Sequence, residues 1–218
     1  MKKILFAILI MMAVTAELLA GSPTWNIGYV ILPDGHKLEG QLSYNWKVEV
    51  VQVRMDNGLM KAYSAGHIDS FAFYDANQRL VRKFSSVDLS DAEEGVRPVF
   101  MEEVASGPLT VYRRLRHTHE FIKILRPSVY SDDTELLKDI DNFTYLVIDQ
   151  EGQVFNMALF NLDLWPRMVT YHGQLSDYIK LRDVDPATTL ARLLIINQYN
   201  FLSAGVDSKP QPRTAQSD

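Results

Sequence analysis

GYVILPDGHKLEGQLSY, residues 28–44, is the stretch that decides the fold. Apolar residues run up to Pro33-Asp34-Gly35 and resume after it. Proline presets the backbone for the first turn corner, aspartate bonds its own backbone, and glycine takes the left-handed position without steric cost. The stretch therefore predicts two antiparallel strands, 29–32 and 37–43, joined as a hairpin. A lone hairpin is marginal in water and needs neighbouring strands to cover its apolar face.

The following residues supply them. WKVEVVQVRM (46–55) alternates, with Val51, Val53 and Met55 on one face and Val48 and Val50 on the other. Asp56-Asn57-Gly58 is a second hairpin turn, and 59–64 returns from it. Residues 67–75 form a heavily buried strand with Ile68, Phe71, Phe73 and Tyr74, and 79–85 comes back with Leu80 or Val81 and Phe84 inward. SVDLSDAEEGV (86–96) is acidic and aperiodic and reads as a surface loop. Strands follow at 98–106 and 109–117 around Gly107-Pro108, and at 142–149 and 153–159 around residues 150–152. Turn signals about every ten residues are the spacing of a β-sandwich or small barrel.

From Asn161 the period changes. Pro166 interrupts 162–169, Gly173 breaks the chain, and 174–181 reads as a short amphipathic helix. The clearest helix follows. Asp185 is its N-cap and Pro186 its first position; Leu190, Leu193, Leu194, Asn197 and Phe201 form the buried stripe, widened by Ile195 and Ile196, and Gly205 is the stop. The expected fold is mostly β within the α+β class. A hairpin-built antiparallel sheet, sandwich or small open barrel carries C-terminal helices, 161–205, packed on it. We expect one β-rich domain over 25–205, with two subdomains split near 88–96 or 126–133 as the alternative, and a flexible tail at 206–218.

Lys2 and Lys3 followed by an apolar run at 4–14 and small residues read as a signal peptide over 1–20, cleaved after Ala16 or Ala20. The run is shorter than the ~20 residues a spanning helix requires. The expected address is periplasmic or secreted. Cysteine is absent, which excludes disulfide staples and thiol chemistry. With 218 residues, 47% of them hydrophobic and 22% charged, the chain can build a core. Without its first twenty residues it keeps 20 basic against 26 acidic side chains. That balance argues against a nucleic-acid partner, which draws on clustered Lys and Arg.

Two constellations carry chemistry. Arg113, Arg114 and Arg116 are the densest basic cluster and the candidate ligand site, for a phosphate, sugar acid or lipid headgroup. The competing reading pairs them with Glu102 and Glu103 across the hairpin. Strand alternation sets Arg113 and Arg114 on opposite faces. His117 and His119 are the candidate zinc ligands: residues two apart on a strand share a face. A third ligand would come from His36, His67 or His172, and nothing in the sequence ties one of these to the pair. A polar strand end is the simpler reading. Serine-nucleophile and Gly-rich phosphate motifs are absent.

The D-G hairpin at 32–40, SFAFYD (70–75), RKFSS (82–86) and GPLTVYRR (107–114) together resemble uncharacterised exported β-rich proteins of Gram-negative bacteria. The resemblance implies an envelope address and a β-rich build, and no assigned activity. The expectation for function is an exported non-enzymatic envelope protein that binds a partner or small ligand, without a cofactor. The alternative is a zinc-dependent hydrolase acting on an envelope polymer.

Overall fold

The computed structural model describes residues 24–46, 48–91, 95–116 and 139–207. The segment expected as a signal peptide, 1–20, the pair His117 and His119, and residues from 208 onward lie outside the described residues. The protein is mostly antiparallel sheet. Its strands are β1 (Asn26–Ile31), β2 (Lys37–Asn45), β3 (Val50–Arg54), β4 (Met60–Ser64), β5 (Ser70–Asp75), β6 (Leu80–Asp91), β7 (Gly95–Ala105), β8 (Leu109–Leu115), β9 (Phe143–Asp149) and β10 (Val154–Asn156). They form one open sheet in the order β10-β9-β8-β7-β6-β5-β1-β2-β3-β4. The opening hairpin stands where the sequence puts it. The Asp34 carboxylate accepts from the His36 N–H at 2.9 Å, and Gly35 takes φ +82°.

The sheet is rolled. From β2 to β7 lie four strand spacings, about 19 Å in a flat sheet. Yet the Tyr44 ring on β2 lies 5.8 Å from that of Phe100 on β7 and 5.0 Å from Phe84 on β6. Glycine permits the curl. Gly28 on β1 faces Gly40 on β2, and a Cβ on Gly28 would sit 2.2 Å from the Ala72 carbonyl oxygen. Inside the roll, Val30, Leu42, Val51, Val53, Ile68, Phe71, Phe73, Phe84 and Phe100 make one apolar cluster. Phe71 and Phe84 stack at 4.6 Å. A 3-10 turn, Ala65–His67, fills the gap between the end of β4 and the β6–β7 pair: Ser86 Oγ donates to the Ala65 carbonyl at 2.7 Å.

Strands β8 and β9 carry a second cluster, covered by helices. Two 3-10 helices, Met157–Leu159 and Trp165–Tyr171, flank a π-turn at Phe160–Leu164; α1 (His172–Arg182) and α2 (Thr189–Asp207) follow. Leu109, Val111, Leu115, Phe143, Tyr145 and Val147 meet Phe160, Leu164, Met168, Leu175, Ile195 and Ile196. Among the described residues no helix is long and apolar enough to cross a membrane.

Several boundaries differ from expectation. Of the stretch expected as a loop, 86–96, residues 86–91 and 95–96 are strand: β6 runs to Asp91 and pairs with β7 from Ser86↔Phe100 to Asp91↔Gly95. A short alternation of Val87 and Leu89 with Asp88 suffices there, because the partner strand takes the backbone hydrogen bonds. The strand expected over 46–55 begins only at Val50, since Glu49 turns the chain at φ +51°. On β6 the inward residues are Arg82 and Phe84, while Leu80 and Val81 are exposed. Gly173 lies within α1 and Gly205 within α2. Helix α2 starts after Thr188, whose hydroxyl accepts from the Ala191 N–H, and Asp185 heads the preceding turn. Its buried face is Ala191, Ile195, Ile196 and Asn200; Leu190, Asn197 and Phe201 face solvent.

Candidate functional site

The two apolar clusters meet along a seam occupied by charge. Phe84 on β6 faces Glu102 on β7, and Glu102 faces Arg113 on β8. Strand alternation returns Arg82 to the face of Phe84, so three charged side chains converge below the rolled sheet. Glu102 is 6% exposed. Its Oε1 accepts from Arg82 Nε at 2.7 Å, and its Oε2 accepts from Arg82 Nη2 at 3.0 Å and from Arg113 Nε at 2.8 Å. Asp75 adds a weaker contact to Arg82 at 3.8 Å. The guanidinium groups also rest on aromatic faces, Arg113 over Phe143 at 4.3 Å and Arg82 over Phe84 at 5.2 Å.

Beside this triad stands a second pair. Arg114 Nε donates to Glu49 Oε1 at 2.7 Å, and Arg97 approaches Glu49 Oε2 at 3.8 Å. Glu49 sits on the β2–β3 turn, five strand spacings from β8; the roll of the sheet brings the two together. Around both pairs lies a cavity of about 30 Å3, lined by Tyr44, Trp46, Arg82, Glu102, Arg113 and Arg114 among others. Burial and then Glu49 push the Tyr44 hydroxyl upward, against the pull of Arg114 and Arg82, so it stays protonated at neutral pH. Burial works to raise the Glu102 carboxyl, but the bonds and charge of Arg82, with those of Arg113, outweigh it and hold the group below the usual glutamate range.

Of the three arginines singled out in the sequence, Arg113 bonds Glu102, Arg114 bonds Glu49, and Arg116 is exposed. Arg113 and Arg114 leave opposite faces of β8 yet both line the cavity. Glu103 turns instead to Lys83 at 2.9 Å and to the Ser106 hydroxyl. Arg82 and Glu49 escaped sequence reasoning. The available signal was Arg82 two residues before the inward Phe84; a charge at that phase needs a buried partner. For Glu49 no signal exists, because its partner lies 65 residues away.

The three histidines considered as a third zinc ligand lie apart. His36 meets Asp34 at 2.9 Å, His67 Nδ1 meets Ser64 Oγ at 2.8 Å, and His172 Nε2 meets the Trp165 carbonyl at 2.8 Å. Among the described residues no group of three or more His, Cys, Asp or Glu could hold a metal ion.

Set against known protein families, curated proteins and solved structures, the chain matches none. The reading of function therefore rests on its own residues. The outside of the rolled sheet offers one more feature. Tyr74 on β5 faces Val81 on β6, and Ile27, one residue beyond the Gly28–Phe73 pair, continues the row onto β1. The three are 48%, 62% and 79% exposed.

Proposed function

We propose that the chain is an exported, non-enzymatic protein of the bacterial envelope that works by binding a partner. The carrying observation is the engagement of Arg82, Arg113 and Arg114 with Glu102 and Glu49 around a cavity of about 30 Å3. That volume suits one or two waters or a small ion, not an organic substrate. The charged groups best suited to chemistry thus hold the seam together. The exposed apolar row Ile27, Tyr74 and Val81 supports the binding reading, since such groupings mark interaction sites. Lys2, Lys3 and the apolar run at 4–14 support export.

The test has two arms. Expression of the full chain in a Gram-negative host, fractionation and N-terminal sequencing should yield a product starting at Glu17 or Gly21 in the periplasm or medium. A photo-crosslinker at Val81 should then capture a discrete envelope component that the same probe at Asp163 does not. Retention of residues 4–14 in a cytosolic product overturns the export reading. Turnover of an envelope polymer by the purified protein overturns the non-enzymatic one.

A further inference from the structure

The described residues that line the cavity include three guanidinium groups, those of Arg82, Arg113 and Arg114, and two carboxylates, those of Glu49 and Glu102. Asp75 reaches Arg82 from outside the lining at 3.8 Å. Among the described residues, Arg114 Nη2 is the buried side-chain nitrogen with no hydrogen-bond partner. A buried cationic donor left without an acceptor is costly, more so than a neutral one. Arg114 lines the same cavity as Tyr44, whose protonated hydroxyl is a second donor. The cavity, about 30 Å3 in volume, has walls of Phe84, Phe100, Leu115 and Phe143 beside the charged groups. It therefore combines more guanidinium groups than carboxylates in its lining, one buried donor with no acceptor, apolar walls and room for a small ion.

We propose that this cavity is a binding site for one monovalent anion of halide size, chloride in the envelope, held by Arg114 Nη2 with the Tyr44 hydroxyl. A halide has no directional lone pairs and accepts from donors at wide angles, which suits two donors fixed by separate strands. Its charge complements the third guanidinium of the lining. A phosphate or sulfate is too large for the space, so the site discriminates by size as well as sign. The site is structural: it ties β2 to β8 across the roll, and its occupancy stabilises the seam. It stands independently of any binding partner on the outer sheet face.

The test compares thermal unfolding of the mature chain in sodium chloride and in sodium methanesulfonate at equal ionic strength. At chloride about twenty times its Kd the midpoint should rise by about 4–7 °C over methanesulfonate. Arg114→Lys keeps a charge for Glu49 but loses the forked donor, and should abolish most of that difference. Should Arg114→Lys fail to fold, Tyr44→Phe gives the same reading, with the chloride response weakened. Crystals grown in bromide should show an anomalous peak at hydrogen-bonding distance from Arg114 Nη2. Equal midpoints in the two salts, an unchanged chloride response in both variants, or density there without anomalous signal, as a water would give, overturns the proposal.

Discussion

Both polar atoms of the Asn200 side chain bond the backbone of Leu109: Oδ1 accepts from its N–H at 3.0 Å and Nδ2 donates to its carbonyl at 2.8 Å. Nδ2 also donates to the Ser106 carbonyl at 3.2 Å. Gly107, at φ +147°, lies so close that a Cβ there would fall 2.5 Å from Asn200 Cγ. A helix residue near the end of the chain thus caps the β7–β8 turn. Replacing Asn200 by Ala leaves buried backbone groups unmet and should cost about 1–3 kcal/mol. Urea unfolding checks this. Asn200→Asp keeps the acceptor but loses both Nδ2 bonds, and should be no better.

Glu102 makes a sharper prediction, because two buried arginines depend on it. Removing one partner from a buried ion pair typically costs about 3–5 kcal/mol, since it strands the other charge. Glu102→Gln should fall in that range while leaving shape unchanged. The pH dependence follows from the sign of the shift. The folded carboxyl titrates below the ordinary value of 4.5. Its contribution is therefore whole above that pH and is lost as pH falls through the lower folded value. The wild-type stability curve should decline below about pH 4.5 more steeply than that of Glu102→Gln. Parallel acid limbs would refute the pairing.

The curl of the sheet depends on Gly28. An alanine there would drive its Cβ to 2.2 Å from the Ala72 oxygen and 2.8 Å from Phe73 Cα, both backbone atoms that cannot move aside. Gly28→Ala should abolish the native fold, seen as loss of the cooperative melt. Gly35→Ala is the contrast. Its φ of +82° is strained for alanine, but nothing lies within 4 Å, so about 1–2 kcal/mol is the expected loss.

Two phenylalanines separate core from surface. Phe71 is buried against Phe73, Phe84, Phe100 and Tyr44. Phe71→Ala should cost about 3–5 kcal/mol by transfer and cavity terms. Phe201 is 73% exposed, and Phe201→Ala should stay within about 0.5 kcal/mol of wild type. Chemical denaturation of the two variants in parallel distinguishes them directly.

That contrast also measures what the sequence made legible. The hairpins at Asp34-Gly35 and Asn57-Gly58 were readable because turn chemistry is local: each Asx side chain bonds a backbone N–H two residues on. The phase of α2 was not. Leu190, Leu193, Leu194, Ile195, Ile196 and Phe201 wrap most of its circumference, so apolar periodicity alone does not choose a face. The choice falls to Ala191, small enough to pack closely, and to Asn200, which finds its partners on a distant turn. The extension of β6 through residues 86–91 was hidden for a similar reason. Its acidic composition reads as loop, while the strand is held by pairing with β7. Half of the seam was visible, since Arg113 and Glu102 are cross-strand neighbours in one hairpin. Glu49 and Arg114 meet only because the sheet rolls, a property that no local window contains.

Strand β1 is paired on one side by β2, next in the chain, and on the other by β5, which ends at Asp75. Synthesis delivers the N-terminus first, so β1 to β4 emerge as a four-stranded meander whose inner edge waits for residues 70–75. Until then Val30 and its neighbours present unpaired amides beside apolar side chains, the combination that recruits foreign strands. Pairing with SFAFYD closes that edge of β1 and passes the open one to β5, with Phe71 and Phe73, until residues 80–85 pair there in turn.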